Sequence, residues 1–130
     1  MKLELTKEEK RVVRRVLKRV QTTHWIQNYY EVRVGRKRCN CLVGMVNIET
    51  DMCVNDASTC LNSNLVRESV LSNIRLLIAR RQKKGLKNIY IEEWNDSCGR
   101  TREDVEGLLL ELLDPLAYDL NCCAKMVRPK

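Results

Sequence analysis

The stretch Trp94-Asn95-Asp96-Ser97-Cys98-Gly99-Arg100-Thr101 constrains this chain more than any other, because its small, polar, glycine-bearing residues are wedged between an apolar run and a strongly periodic helix. Before it, Asn88-Ile89-Tyr90-Ile91 reads as a short extended segment, and after it Thr101 stands at a helix N-cap position with Asp104 three residues on. The expected local structure is strand, tight loop, capped helix. Such a junction aims backbone N–H groups and the positive end of a helix at the loop, which favours an anion or carboxylate there. In that use Trp94 is an apolar wall, Asn95 and Asp96 are hydrogen-bonding groups, and Arg100 with the helix start at Thr101 receives the ligand. The same residues also have a purely local use: Asn95 or Asp96 caps nearby N–H groups, Gly99 takes a positive φ, and Arg100 pairs with a carboxylate.

Elsewhere the chain is read mainly from helical periodicity. Thr6 and Glu9 have capping-box spacing, and Val12, Val13, Val16, Leu17 and Val20 then fall on one side of a helix. Its other side carries Lys7, Lys10, Arg11, Arg14, Arg15, Lys18 and Arg19, with Lys7, Arg11, Arg14 and Lys18 in a single i, i+3, i+4 stripe. Tyr29 to Val34 alternates as a half-buried strand does, Gly35-Arg36 supplies a turn, and Lys37 to Cys41 returns. Arg33, Arg36, Lys37 and Arg38 make the tip of that hairpin basic. Cys41 to Ile48 reads as a short core helix, and residues 49–63 as an irregular polar excursion.

A long helix is expected from Asn64 to Lys84, burying Leu65, Val66, Val70, Leu71, Ile74, Leu77 and Ile78, with Gly85 as the residue that ends it. Another runs from Arg102 to Leu113 and buries Val105, Leu108, Leu109, Leu112 and Leu113. Asp114-Pro115 breaks it, a short helix from Leu116 to Ala124 follows, and Lys125 to Lys130 frays. The chain is therefore expected to be one α+β domain over residues 1–130, predominantly helical. It has about four helices, a small antiparallel hairpin and one short extra strand.

Charge decides which part of such a domain meets an anion. Residues 1–91 carry a net +11 and residues 92–130 a net −4, which together give +7. Contact with nucleic-acid phosphates or with an acidic protein surface is expected through Lys7, Arg11, Arg14, Arg15, Lys18, Arg36, Lys37 and Arg38, with Tyr29 and Tyr30 beside the hairpin suited to stacking on bases. A merely solvated basic face is the plain alternative. The equipment for catalysis is sparse. Seven cysteines include no Cys-x-x-Cys pair, and His24 is the sole histidine, so a zinc site, or any cofactor, is not expected. Cys98, ahead of a helix start and near Arg100, is the thiol to watch, but no sequence feature brings His24 to it as a base. The other thiols read as small buried hydrophobes and not as disulfides. The N-terminal residues lack the apolar core of a signal peptide, and no apolar run approaches membrane-spanning length. A cytoplasmic protein with no membrane contact is expected.

Cys41-Leu42-Val43-Gly44, followed by Trp94-Asn95-Asp96…Gly99-Arg100-Thr101 and Glu103-Asp104-Val105, resembles an uncharacterised small-domain family of bacteria and their phages. In that family a Trp-Asn-Asp…Gly-Arg-Thr loop opens the last helix. The resemblance extends over residues 24–113 and departs at Cys98, at the long basic first helix and at the polar 49–63 segment. It implies a small accessory protein of a bacterium, prophage or phage and brings no known activity. Taken with the charge, this points to a non-enzymatic binding or regulatory protein that uses its basic helix and hairpin on a partner protein, for example as an inhibitor of a host defence complex, or on nucleic acid. The alternative is a small anionic-ligand binder or thiol enzyme working through the 94–101 loop.

Overall fold

Four valines stand on the inner side of the first helix although β-branched residues are indifferent helix formers, so burial rather than propensity selects the helix here. In a computed structural model that describes residues 5–22, 24–54, 63–83 and 85–114, this helix, α1, spans Lys7–Gln21, with Val12, Val13, Val16 and Val20 fully buried. Its capping box is formed: Thr6 N–H donates to Glu9 Oε1 (2.7 Å) and Glu9 N–H donates to Thr6 Oγ1 (3.2 Å). The hairpin follows as β1 (Glu31–Val34) and β2 (Lys37–Asn40), antiparallel, with Val32 opposite Cys39 and Arg33 opposite Arg38. Gly35 turns it with φ +65°. Then come α2 (Leu42–Val54), α3 (Ser63–Gln82), a 3₁₀ turn (Leu86–Asn88), α4 (Ile91–Asp96) and α5 (Arg102–Leu113).

One apolar core lies between α1, α2, α3 and α5. Val66, Val70, Ile74, Leu77 and Ile78 of α3 meet the valines of α1, Leu42 and Met45 of α2, and Val105, Leu108, Leu109 and Leu112 of α5. The chain is thus α+β and predominantly helical, as its periodicity implies. Among the described residues no helix is long and apolar enough to cross a membrane.

Four local expectations are corrected. The extra strand at Asn88–Ile91 does not form: Asn88 ends a 3₁₀ turn, Tyr90 is extended as the N-cap residue of α4, and the chain turns helical at Ile91. Ile91 and Trp94, three apart, both seal against the core, and Glu92 and Glu93 sit in a first turn that favours acidic residues. The core helix read from Cys41 to Ile48 continues to Val54, which takes in the start of the supposed excursion. Leu65 is 70% exposed, since it lies about 100° around the helix from the buried Val66. At the end of α3 the left-handed residue is Lys83 (φ +54°), not Gly85. Residues 55–62, the short helix at 116–124 and the tail at 125–130 lie outside the described residues.

Candidate functional site

The two motifs singled out in the sequence meet in space. Cys41 immediately precedes α2, and its Sγ accepts from the Gly44 N–H at 3.5 Å, so a thiol does what a serine or aspartate does at most helix starts. Burial pushes this thiol above its ordinary pKa, in keeping with a structural group rather than a nucleophile. Gly44 is required because a Cβ there would stand 2.8 Å from the Tyr30 carbonyl oxygen. Beside it, Asn95 of α4 reaches α2 from the second motif. Its Oδ1 accepts from the Leu42 N–H (3.1 Å) and from Trp25 Nε1 (2.6 Å), while its Nδ2 donates to the Ile26 carbonyl (3.1 Å) and Asp96 Oδ1 (2.9 Å). Both lone pairs and both protons of the amide are used.

The other residues of the second motif are likewise bound into the protein. Asp96 Oδ1 also accepts from the backbone of Asn28 (2.7 Å), a residue held at φ +71°. Gln27 Nε2 donates to the carbonyls of Asn95 and Ser97, each at 2.9 Å. Trp94 is buried, with the Arg100 guanidinium 4.0 Å from its ring centroid, and Arg100 Nε donates to the Trp94 carbonyl (2.8 Å). Gly99 takes φ +82°, and Thr101 closes a capping box with Asp104. Asn95 and Asp96 tie the 25–28 link and the start of α2 to the α4–α5 corner, which Trp94, Arg100 and Thr101 hold together from within. The corner is a helix–loop–helix, not the strand-to-helix junction expected; Asn95 is buried in it, while Asp96 and Thr101 are exposed and bonded within the protein. Cys98 is exposed on it, whereas Cys39 and Cys41 are buried, all three as free thiols. Cys60, Cys122 and Cys123 lie outside the described residues.

The basic residues divide into two sets. Lys7, Arg11, Arg14 and Lys18 are exposed along the outer side of α1, a stripe about 16 Å long at 1.5 Å per residue. Arg15, beside that stripe, is turned to α2. Its Nε donates to Glu49 Oε1 (2.8 Å), and Arg19 Nε donates to the other oxygen of the same carboxylate, which is buried on α2. Burial alone would raise the Glu49 carboxyl; the hydrogen bonds and charges of Arg19 and Arg15 outweigh it and hold the group below its ordinary range. Next to this brace, Arg15, Lys18, Arg19, Thr22, His24 and Glu49 line an open cleft of about 310 Å³.

The hairpin carries less charge than its sequence suggests. Arg38 Nε is 2.6 Å from Glu31 Oε1, and Arg33 stands 4.0 Å from the same carboxylate. Arg36 is exposed at the turn, and Lys37 is half-buried. Its base is tied to the end of α1, since the Asn40 N–H donates to the His24 carbonyl (2.8 Å) and the His24 N–H to the Arg19 carbonyl (3.0 Å). The tip lies four residues further out, about 13 Å by strand rise. Glu49, Arg19, Thr22 and His24 were not legible as a site, because thirty residues separate Arg19 from the carboxylate that fixes it.

No curated protein and no solved structure matches this chain. A family model matches residues 5–114, which takes in every described helix and strand and both motifs, and the chain belongs to that family, DUF6197, a family of unknown function.

Proposed function

We propose that this protein is a non-enzymatic binding module of a bacterium or phage, acting in the cytoplasm on nucleic acid through the outer side of α1. The observation that carries the reading is the division of one helix into two opposite sides. Val12, Val13, Val16 and Val20 are sealed in the core, while Lys7, Arg11, Arg14 and Lys18 are exposed in line. Like charges three and four residues apart repel, so the stripe weakens the helix slightly unless an anion neutralises it. A duplex presents about one negative charge per 1.7 Å of axis, enough for every cation of the stripe to find a phosphate. The absorption of Trp94, Asn95, Asp96, Arg100 and Thr101 into the fold supports a binding role over a ligand or thiol chemistry at the 94–101 corner.

Fluorescence polarisation with labelled single- and double-stranded oligonucleotides tests this. Three or four phosphate contacts give a slope of log K against log salt of about −3. Reversing Arg11, Arg14 and Lys18 to Glu should abolish binding and leave the fold intact. Absence of binding at low salt, or binding that salt does not weaken, removes the nucleic-acid reading. An acidic protein partner, such as part of a host defence complex, becomes the better reading if the protein co-purifies from its source cell with one protein and no nucleic acid, and the charge reversal releases it.

A further inference from the structure

The cleft at the end of α1 differs from the stripe in shape and in charge. The stripe is convex and its cations are spread singly along a helix, which suits the one charge of each internal phosphodiester. The cleft is concave and gathers Arg15, Lys18 and Arg19 against a single carboxylate, Glu49, a formal excess of two positive charges, with the Thr22 hydroxyl and the His24 imidazole on its wall. Its volume, about 310 Å³, is at the small end of the range for sites that enclose part of a ligand, roughly 300–1,000 Å³.

The donors are also held in place. Glu49, only 4% exposed, receives one Nε–H from each arginine, which fixes the planes of both guanidinium groups. The imidazole is oriented too. The His24 Nδ1 lies 2.9 Å from Thr22 Oγ1, whose hydroxyl is 2.9 Å from the Lys18 carbonyl, so the ring is held against the end of α1. The helix end itself would repel an anion, but its last carbonyls are covered. Thr22 N–H takes the Lys18 carbonyl and His24 N–H the Arg19 carbonyl, both at 3.0 Å.

We infer that this cleft is a receptor for a phosphate monoester, the terminal phosphate of a nucleic-acid strand whose backbone lies along Lys7, Arg11, Arg14 and Lys18. The assignment rests on the nucleic-acid reading above for the identity of the strand, and on the cleft alone for the monoester. Two negative charges on the end group match the formal excess of two. Lys18 belongs to both surfaces, so a strand that follows the stripe runs its end into the cleft.

The test compares oligonucleotides of one sequence that bear a 5′-phosphate, a 3′-phosphate or hydroxyls at both ends. One phosphorylated form should bind about tenfold more tightly than the hydroxyl form, the effect of one charge-assisted contact. Arg19→Gln and Lys18→Gln should erase that difference, while Lys7→Gln should weaken all three oligonucleotides alike. Arg19→Gln also opens the Glu49 brace and is checked by thermal melting; Lys18 is outside the brace, so Lys18→Gln tests the cleft in an undisturbed fold. Equal affinity for all three oligonucleotides overturns the cleft assignment and leaves the stripe standing. If no oligonucleotide binds but inorganic phosphate raises the melting temperature of the wild type and not of Lys18→Gln, the cleft stands as a monoester site and the nucleic-acid reading falls. No response to oligonucleotides or to inorganic phosphate overturns it.

Discussion

A single amide shows how a residue that looks like a ligand contact in sequence becomes a structural one. Asn95 is fully buried and spans three chain segments, the 25–26 link, the first turn of α2 and its own helix. Truncating it leaves the Trp25 and Leu42 N–H groups and the Ile26 carbonyl without this partner, each at the cost of a desolvated polar group. Asn95→Ala is expected to lower stability by about 3 kcal/mol in urea denaturation. A loss below about 1 kcal/mol would mean that water or a shifted backbone replaces the amide with ease. In the sequence, Asn95 is one of three small polar residues in a row. Its burial depends on Trp25, seventy positions away, so nothing local distinguishes it from Asp96 or Ser97.

At the scale of elements, α1, α3 and α5 were legible to within about two residues at each end because each carries an unbroken 3.6-residue apolar period. α4 was not. It is six residues long, and Ile89 and Ile91 satisfy a strand's alternation as well as Ile91 and Trp94 satisfy a helical turn, so the choice falls to tertiary contacts. Two glycines give opposite predictions for the helices that hold them. Gly44→Ala in α2 forces a methyl group against the Tyr30 carbonyl and should cost about 1–3 kcal/mol. Gly107 in α5 has open space except for the flexible end of Arg81, 3.9 Å away, and Gly107→Ala should stabilise by about 0.5–1 kcal/mol. Thermal unfolding followed by circular dichroism should show the melting temperature move down for the first and up for the second. Movement of both in one direction would contradict the packing described for one of them.

For the molecule as a whole, Glu49 joins the basic outer helix to the core by holding Arg15 and Arg19 to α2, so stability and surface charge are linked through one carboxylate. Its folded pKa is depressed, so the stability it contributes is complete above the ordinary value of 4.5 and lost as the pH falls through the folded value. Between about pH 5 and about pH 3 the wild type should therefore lose more stability than Glu49→Gln in denaturant titrations. Parallel losses would show that the brace adds nothing to folding. By itself the sequence determined the predominantly helical α+β class, the hairpin, the basic stripe of α1 and both capping boxes, since each follows from spacing along a few neighbouring residues. Only the tertiary structure decided that the 94–101 segment is a helix–loop–helix corner sewn to α2, and that Arg15 and Arg19 close on Glu49 beside a cleft. Those outcomes depend on which groups are desolvated together, and partners thirty to seventy residues apart leave no local trace of that in the order of residues.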